Sequence, residues 1–141
     1  MTVVDALEKR RSVKHFDPNY ILTDNELHQL FEPVMLTPSS FNLQHWRFIV
    51  VRDKALQKQL CEVSYGQTQV RDCSATVIIA ANLRAHLDPS TLWRGSPSEI
   101  AEKVSATIEG FYKAKPDLQR DEALRSGGLS AMTLMLVAAE L

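Results

Sequence analysis

The feature that most restricts the fold of this chain is the apolar character of residues 129–139, near the C-terminus. Within this run only Ser130 and Thr133 are polar. The run predicts a helix that carries apolar side chains on more than one face. A helix of that kind must be buried on nearly all of its sides. We therefore expect other elements, or a second chain, to surround it.

Two short runs rich in β-branched residues predict the strands. The first is residues 48–51 and the second is residues 76–81, and polar segments flank both of them. Runs of this length and composition are typical of buried strands.

Two capping boxes mark the starts of the first helices. Thr2 is followed by Asp5 and Thr23 by Glu26, the spacing at which each pair satisfies free N–H groups of a first turn. The second helix should extend to Val34, although Pro33 favours a kink or an earlier end. Further helices are predicted at residues 53–63, 98–113 and 118–141, and loops at residues 37–40 and 87–97.

This order of elements, α-α-β-α-β-α-α, predicts a single α+β domain over residues 1–141. Two strands alone make a marginally stable sheet. The chain also ends at Leu141 within an apolar helix, without a stop signal. We therefore expect the fold to be incomplete at its C-terminus, with further strands that extend the sheet.

The composition argues against several functions. The formal charge is -1, from 16 basic and 17 acidic residues, so nothing predicts long-range attraction to nucleic acid or to an anionic membrane. No apolar run approaches the roughly 18 to 20 residues that span a bilayer, and no secretory signal is recognisable. Cys61 and Cys73 have neither redox nor zinc spacing, and the four histidines are scattered. We expect reduced buried thiols, a cytoplasmic protein and no metal site.

The first candidate site is a basic segment, residues 10–16, where the first helix ends. It begins Arg10, Arg11, Ser12, Val13, Lys14. A guanidinium donates paired hydrogen bonds to a phosphate, and Lys and Ser add further donors. Basic residues at a helix C-terminus can instead serve only to oppose the helix dipole. From the residues alone both interpretations remain open.

The second candidate site is a polar loop, residues 38–45, directly before the first strand. Its Asn and Gln side chains both donate and accept, which suits the edge of a heteroaromatic ring. In the alternative interpretation Ser39 and Ser40 only stabilise turns, and Trp46, which follows, belongs to the core. Gln67 is a further candidate, although an ordinary connection between helix and strand explains it almost as well.

Taken together, these segments resemble the FMN-dependent nitroreductase family. Residues 10–16 (RRSVKHF) and residues 38–46 (PSSFNLQHW) are similar to its two N-terminal signatures and have its usual separation. Residues 66–67 and 120–125 resemble the branch that reduces quinones and nitro compounds. The resemblance covers essentially the whole chain. One departure is His45, where the family frequently has proline.

The resemblance implies a three-layer α/β/α sandwich with a mainly antiparallel sheet, here without its C-terminal strands. It also implies a homodimer with FMN at the subunit interface, and the apolar C-terminal helix is expected at the centre of that interface. By this analogy one subunit contributes the basic segment and the partner contributes the polar loop. The implied cofactor contacts are Arg10, Arg11, Ser12, Lys14, Pro38, Ser39, Ser40, Asn42, Gln44 and Gln67.

The activity implied is transfer of a hydride from NAD(P)H through the flavin to a nitroaromatic or quinone. No side chain is then required as a general acid or nucleophile, because the cofactor carries the chemistry. Two alternatives are a flavin-binding protein without reductase turnover and an inactive, truncated dimerisation module. Fold alone does not distinguish among the three.

Overall fold

A computed structural model describes residues 2–89, 93 and 95–141. Short 3₁₀ turns lie at Pro33–Leu36, Ser40–Asn42 and Ala85–Leu87. The predicted loop at residues 87–97 includes residues 90–92 and 94, which lie outside the described residues. The helices and strands are α1 (Val3–Lys9), α2 (Asp24–Phe31), β1 (Trp46–Val51), α3 (Lys54–Val63), α4 (Thr68–Asp72), β2 (Thr76–Ala81), α5 (Ser98–Tyr112) and α6 (Pro116–Glu140).

Both capping boxes are confirmed. The Asp5 N–H donates to Thr2 Oγ1 at 3.1 Å, and the Thr2 N–H donates to Asp5 Oδ2 at 2.8 Å. The same reciprocal pair starts α2 at Thr23 and Glu26. These bonds satisfy N–H groups that have no partner within the helix.

Proline explains two differences between the predicted and observed helix ends. α2 stops at Phe31, before the predicted Val34, and a 3₁₀ turn begins at Pro33. Pro33 has no N–H to continue the α-helical hydrogen bonds. α6 begins at Pro116, earlier than the predicted start at residue 118. The fixed φ of proline suits the first turn of a helix.

The predicted order of elements lacked one helix, the short α4 between α3 and β2. Before it, Tyr65 and Gly66 have φ values of 57° and 67°. The Gly66 N–H donates back to the carbonyl of Cys61 at 3.0 Å. This reversal ends α3 and lets a new helix start at Thr68. A glycine supplies such a conformation at little cost.

The two strands pair antiparallel, with Trp46 opposite Ala81 and Val51 opposite Thr76. Within the described residues they form a sheet of two strands. α6 packs against both strands, against α1 and α2, and against the 3₁₀ turn Pro33–Leu36. The long helix therefore packs on both the N-terminal region and the sheet.

The described residues cover only part of α6. Its buried residues are small, namely Ala123, Ser126 and Ser130. Leu129 and Met135, in contrast, are 47% and 43% exposed. The apolar surface of α6 that includes Leu129 and Met135 is thus open to packing by a further element or a second chain.

A compact apolar cluster lies between α5 and the polar loop. Its buried members are Leu43, Ala85, Ile108 and Tyr112, and Phe41 packs against them. Leu43 and Phe41 belong to the 38–45 segment, so this cluster anchors the polar loop to α5. Full burial of Leu43 and of Ile108 contributes about 1.5 to 3 kcal/mol each.

Candidate functional site

The basic segment leaves α1 and runs beside the end of α6. The Arg10 N–H caps α1 through the Ala6 carbonyl at 2.9 Å. A groove of about 510 Å³ separates the segment from the last turns of α6. Its polar wall includes Arg10, Arg11 and Ser12, and its apolar wall includes Met135 and Ala138.

The donors of the basic segment differ in availability. Arg11 is occupied locally, because its Nη1 donates to the carbonyls of Arg10, at 2.9 Å, and of Glu8. The side chains of Arg10, Ser12 and Lys14 have no hydrogen-bond partner among the described residues. Arg10 and Ser12 line the groove. Lys14 lies two residues further along the chain, outside the groove lining, and its side chain is exposed. The Arg10, Ser12 and Lys14 side chains are thus open to an external anion.

The polar loop has an unusual backbone. Phe41, Asn42 and Gln44 have φ values of 51°, 55° and 44°. This left-handed region is disfavoured for residues other than glycine, although asparagine tolerates it better than most. Strained backbone of this kind persists only where the surroundings hold it, and it often occurs at functional sites.

Hydrogen bonds inside the chain hold this loop. The Gln44 N–H donates to Ser39 Oγ at 2.9 Å, and the Tyr112 hydroxyl donates to Ser40 Oγ at 3.1 Å. The Gln44 side-chain amide donates to the Met35 carbonyl at 3.2 Å. Both serines therefore stabilise the turn, which was the alternative interpretation. Each hydroxyl keeps an O–H that can donate to a ligand.

Asn42 is the loop residue that is most available to a ligand. Its side chain is exposed, and the carboxamide has no hydrogen-bond partner within the described part of the chain. Pro38 is also exposed. The loop therefore exposes Asn42, while Ser39 and Ser40 are half-buried.

Gln44 lines a second groove of about 420 Å³ at the start of β1, together with Arg47, Asn82 and Arg84. Arg47 Nη1 donates to the carbonyls of Gln44, at 3.0 Å, and Trp46, at 2.7 Å. Trp46 is 3% exposed, which confirms its assignment to the core. Within one chain the basic segment and the polar loop thus line separate grooves.

Gln67 stands apart from both grooves. It is the N-cap residue of α4, and its Oε1 accepts a hydrogen bond from Gln69 Nε2 at 2.7 Å. Neither groove has Gln67 in its lining. The structure does not bring Gln67 to the other predicted contacts within one chain.

Sequence reasoning missed a buried polar pair behind the loop. His45 and Ser126 are each 2% exposed, and His45 Nδ1 lies 3.1 Å from Ser126 Oγ. Burial lowers the pKa of His45, an effect that Glu122 opposes. Burial therefore favours the neutral imidazole. The one sequence signal for this pair was the histidine in place of proline.

The described residues hold no cluster of His, Cys, Asp and Glu that could bind a metal. Cys61 and Cys73 are buried free thiols. Nor does this described part contain a helix long and apolar enough to cross a membrane.

Comparison with known proteins identifies relatives of this chain. Protein DrgA of Synechocystis is 44% identical over 139 residues, which cover 98% of this chain and 66% of that protein. A Bacillus subtilis protein, YodC, whose provisional name is NAD(P)H nitroreductase, is 33% identical over 96% of this chain and 69% of its own length. A structure from Exiguobacterium sibiricum, crystallised in complex with FMN, matches with a TM-score of 0.90. It is 27% identical over 99% of this chain and 70% of that one.

The fold of the chain thus matches that of nitroreductase structures. The sequence model of the nitroreductase family matches residues 7–141 of this chain. The chain therefore belongs to this family. Its α+β fold is nitroreductase-like, and it spans about two thirds of the length of the relatives it matches.

Proposed function

We propose that this chain is an FMN-dependent oxidoreductase that uses NAD(P)H to reduce a nitroaromatic compound or a quinone. FMN would bind between two copies of the chain. The name of YodC and the FMN complex from Exiguobacterium sibiricum support this proposal. Because the chain spans about two thirds of its relatives, the activity is proposed for the protein to which this sequence contributes.

The observation that carries the proposal is the set of open donors in the basic segment, of which Arg10 and Ser12 line the 510 Å³ groove and Lys14 lies two residues further along the chain. Arg10, Ser12 and Lys14 have no partner among the described residues. Two cations and a hydroxyl suit a phosphate, and hydrogen bonds to charged groups are the strong ones. Met135 and Ala138 give the groove an apolar wall, which can pack against the less polar part of a ligand. The residues therefore fit a phosphate-bearing aromatic cofactor.

The polar loop is proposed to complete the site from the partner subunit. Asn42 offers a donor and an acceptor to the edge of a flavin ring. Ser39 and Ser40 can each donate their remaining O–H, and Pro38 and Gln44 lie beside them. Arg11 is proposed to shape the segment through its bonds to backbone carbonyls, and Gln67 to act as an outer contact.

When bound, FMN would supply the hydride chemistry, as acceptor from NAD(P)H and as donor to the substrate. The chain itself therefore need provide no nucleophile or general acid. Arg10 and Lys14 would neutralise the phosphate and fix the orientation of the cofactor. Asn42 would hold the ring edge, and a donor at that edge would stabilise negative charge there. The apolar wall from α6 would exclude water from the cofactor.

The test begins with the absorbance spectrum of the purified protein. Absorbance bands of oxidised flavin, followed by NAD(P)H oxidation that depends on an added quinone, are the expected results. Flavin without turnover would favour the flavin-binding alternative. A colourless protein that takes up no FMN in a titration, yet associates with itself, would favour the inactive module.

A further inference from the structure

We infer that His45 and Ser126 are positioning residues that hold the polar loop in the conformation that receives the cofactor. The inference rests on the proposed function, because it concerns the same site. Neither residue touches the proposed cofactor. They act through the backbone of residues 41–44.

The loop needs such a hold because of its backbone strain. Positive φ values at Phe41, Asn42 and Gln44 each cost on the order of 1 kcal/mol or more. Without external bonds a segment of this kind relaxes to other conformations. The Asn42 carboxamide would then lose its fixed direction.

Several side-chain hydrogen bonds hold the loop, and two of them join its two ends to the helices α5 and α6. Tyr112 holds the beginning, through the bond to Ser40 Oγ. Ser126 holds the end, through the bond to His45 Nδ1. The His45 carbonyl is fixed as well, because it accepts from the Asn82 N–H at 2.7 Å. The strained residues lie between these two anchors.

The anchor at His45 is effective because it is buried and neutral. Both partners are 2% exposed, so water does not readily replace either one when the bond breaks. A buried polar atom without a partner is costly. Three groups act on the His45 charge: Glu122 favours the protonated imidazole, and Arg47 and His86 oppose it. Burial has the largest effect and favours the neutral ring.

α6 offers a matched pair of variants for the test. Ser126→Ala removes the anchor with a minimal change of volume. Ser130→Ala removes a hydroxyl that is equally buried and lies about one turn further along the same helix. The Ser130 hydroxyl donates only to the Gly127 carbonyl of its own helix, at 2.9 Å. Any difference between the two variants therefore reports on the bond to His45.

The first measurements are FMN affinity and the reduction potential of the flavin in the protein with its cofactor. Ser126→Ala should weaken FMN binding about three- to tenfold, as expected for one lost buried hydrogen bond. It should also shift the reduction potential of the bound flavin, whereas Ser130→Ala should change neither quantity. His45→Asn, which keeps a polar atom close to the Nδ1 position, should retain more affinity than His45→Leu.

The second measurement is hydrogen exchange of the loop amides, which requires no cofactor. Ser126→Ala should accelerate exchange of the Asn42 and Gln44 amides more than Ser130→Ala does. Equal exchange and equal FMN affinity in the two variants would overturn the inference. If the parent protein binds no FMN, the proposed function fails, and the exchange rates still decide whether His45 and Ser126 hold the loop.

Discussion

Two adjacent glycines in α6 provide a test of the proposed dimer. Gly127 and Gly128 lie inside the helix, and a Cβ at either position would meet no atom within 4 Å. Glycine within a helix costs about 0.8 to 1 kcal/mol relative to alanine. No contact within the described part of the chain explains why glycine occupies these two positions. A close approach by another chain would explain it.

The expected size of the effect follows from these facts. In an isolated chain, Gly128→Ala should stabilise α6 by about 1 kcal/mol. If α6 meets a second copy at this position, the added methyl groups overpack the contact at a cost of about 1 to 3 kcal/mol each. A symmetric dimer carries the substitution twice. Association should therefore weaken by about 2 to 6 kcal/mol, a factor of at least 30 in the dissociation constant.

Sedimentation equilibrium measures the dissociation constant, and thermal unfolding at fixed concentration measures stability. Gly110→Ala in α5 is the matched control, because a Cβ there also meets open space. The control should gain stability and keep its association unchanged. If Gly128→Ala associates as tightly as Gly110→Ala, α6 does not approach a partner at this point. A parent chain that stays monomeric at high concentration would refute the dimer for these residues.

Two further predictions concern the cofactor site, and a third concerns the buried His45. Arg10→Ala should weaken FMN binding by about 1.5 to 3 kcal/mol, and Lys58→Ala, which alters an exposed cation on α3 outside the groove, should have little effect. Similar losses in a fluorescence titration would contradict the assignment of the phosphate site. Asn42→Gly keeps the φ of 55° accessible while it removes the carboxamide. It should alter flavin affinity or potential and leave the Tm without FMN nearly unchanged, whereas a large fall in that Tm would show a structural role. Finally, burial lowers the pKa of His45, so below about pH 6.5 the unfolded chain binds a proton that the folded chain resists. Stability should therefore fall as the pH drops from 7 to 5, and it should fall less in His45→Asn. Parallel pH profiles of the Tm would contradict this account.

Local chemistry in the sequence was sufficient to predict most of the helices and strands. A capping box depends on residues three positions apart, as at Thr2 and Asp5, and a proline acts on its own turn. The β-branched run at Thr76–Ala81 matched the observed strand. The signatures at residues 10–16 and 38–46 pointed to the family for the same reason, since each is a short contiguous pattern. The helix α4 was missed because its start depends on the reversal at Tyr65 and Gly66.

The tertiary structure decided which candidate groups are available to a ligand. The sequence presents Arg10 and Arg11 as equivalent cations, yet only Arg11 is bound to carbonyls of its own segment. Side-chain spacing does not reveal the positive φ of Asn42, because that conformation is imposed by contacts at both ends of the loop. The bond between His45 and Ser126 joins residues 81 positions apart. A contact at that separation exists only after α6 has packed beside the loop, and for that reason no local pattern predicted it.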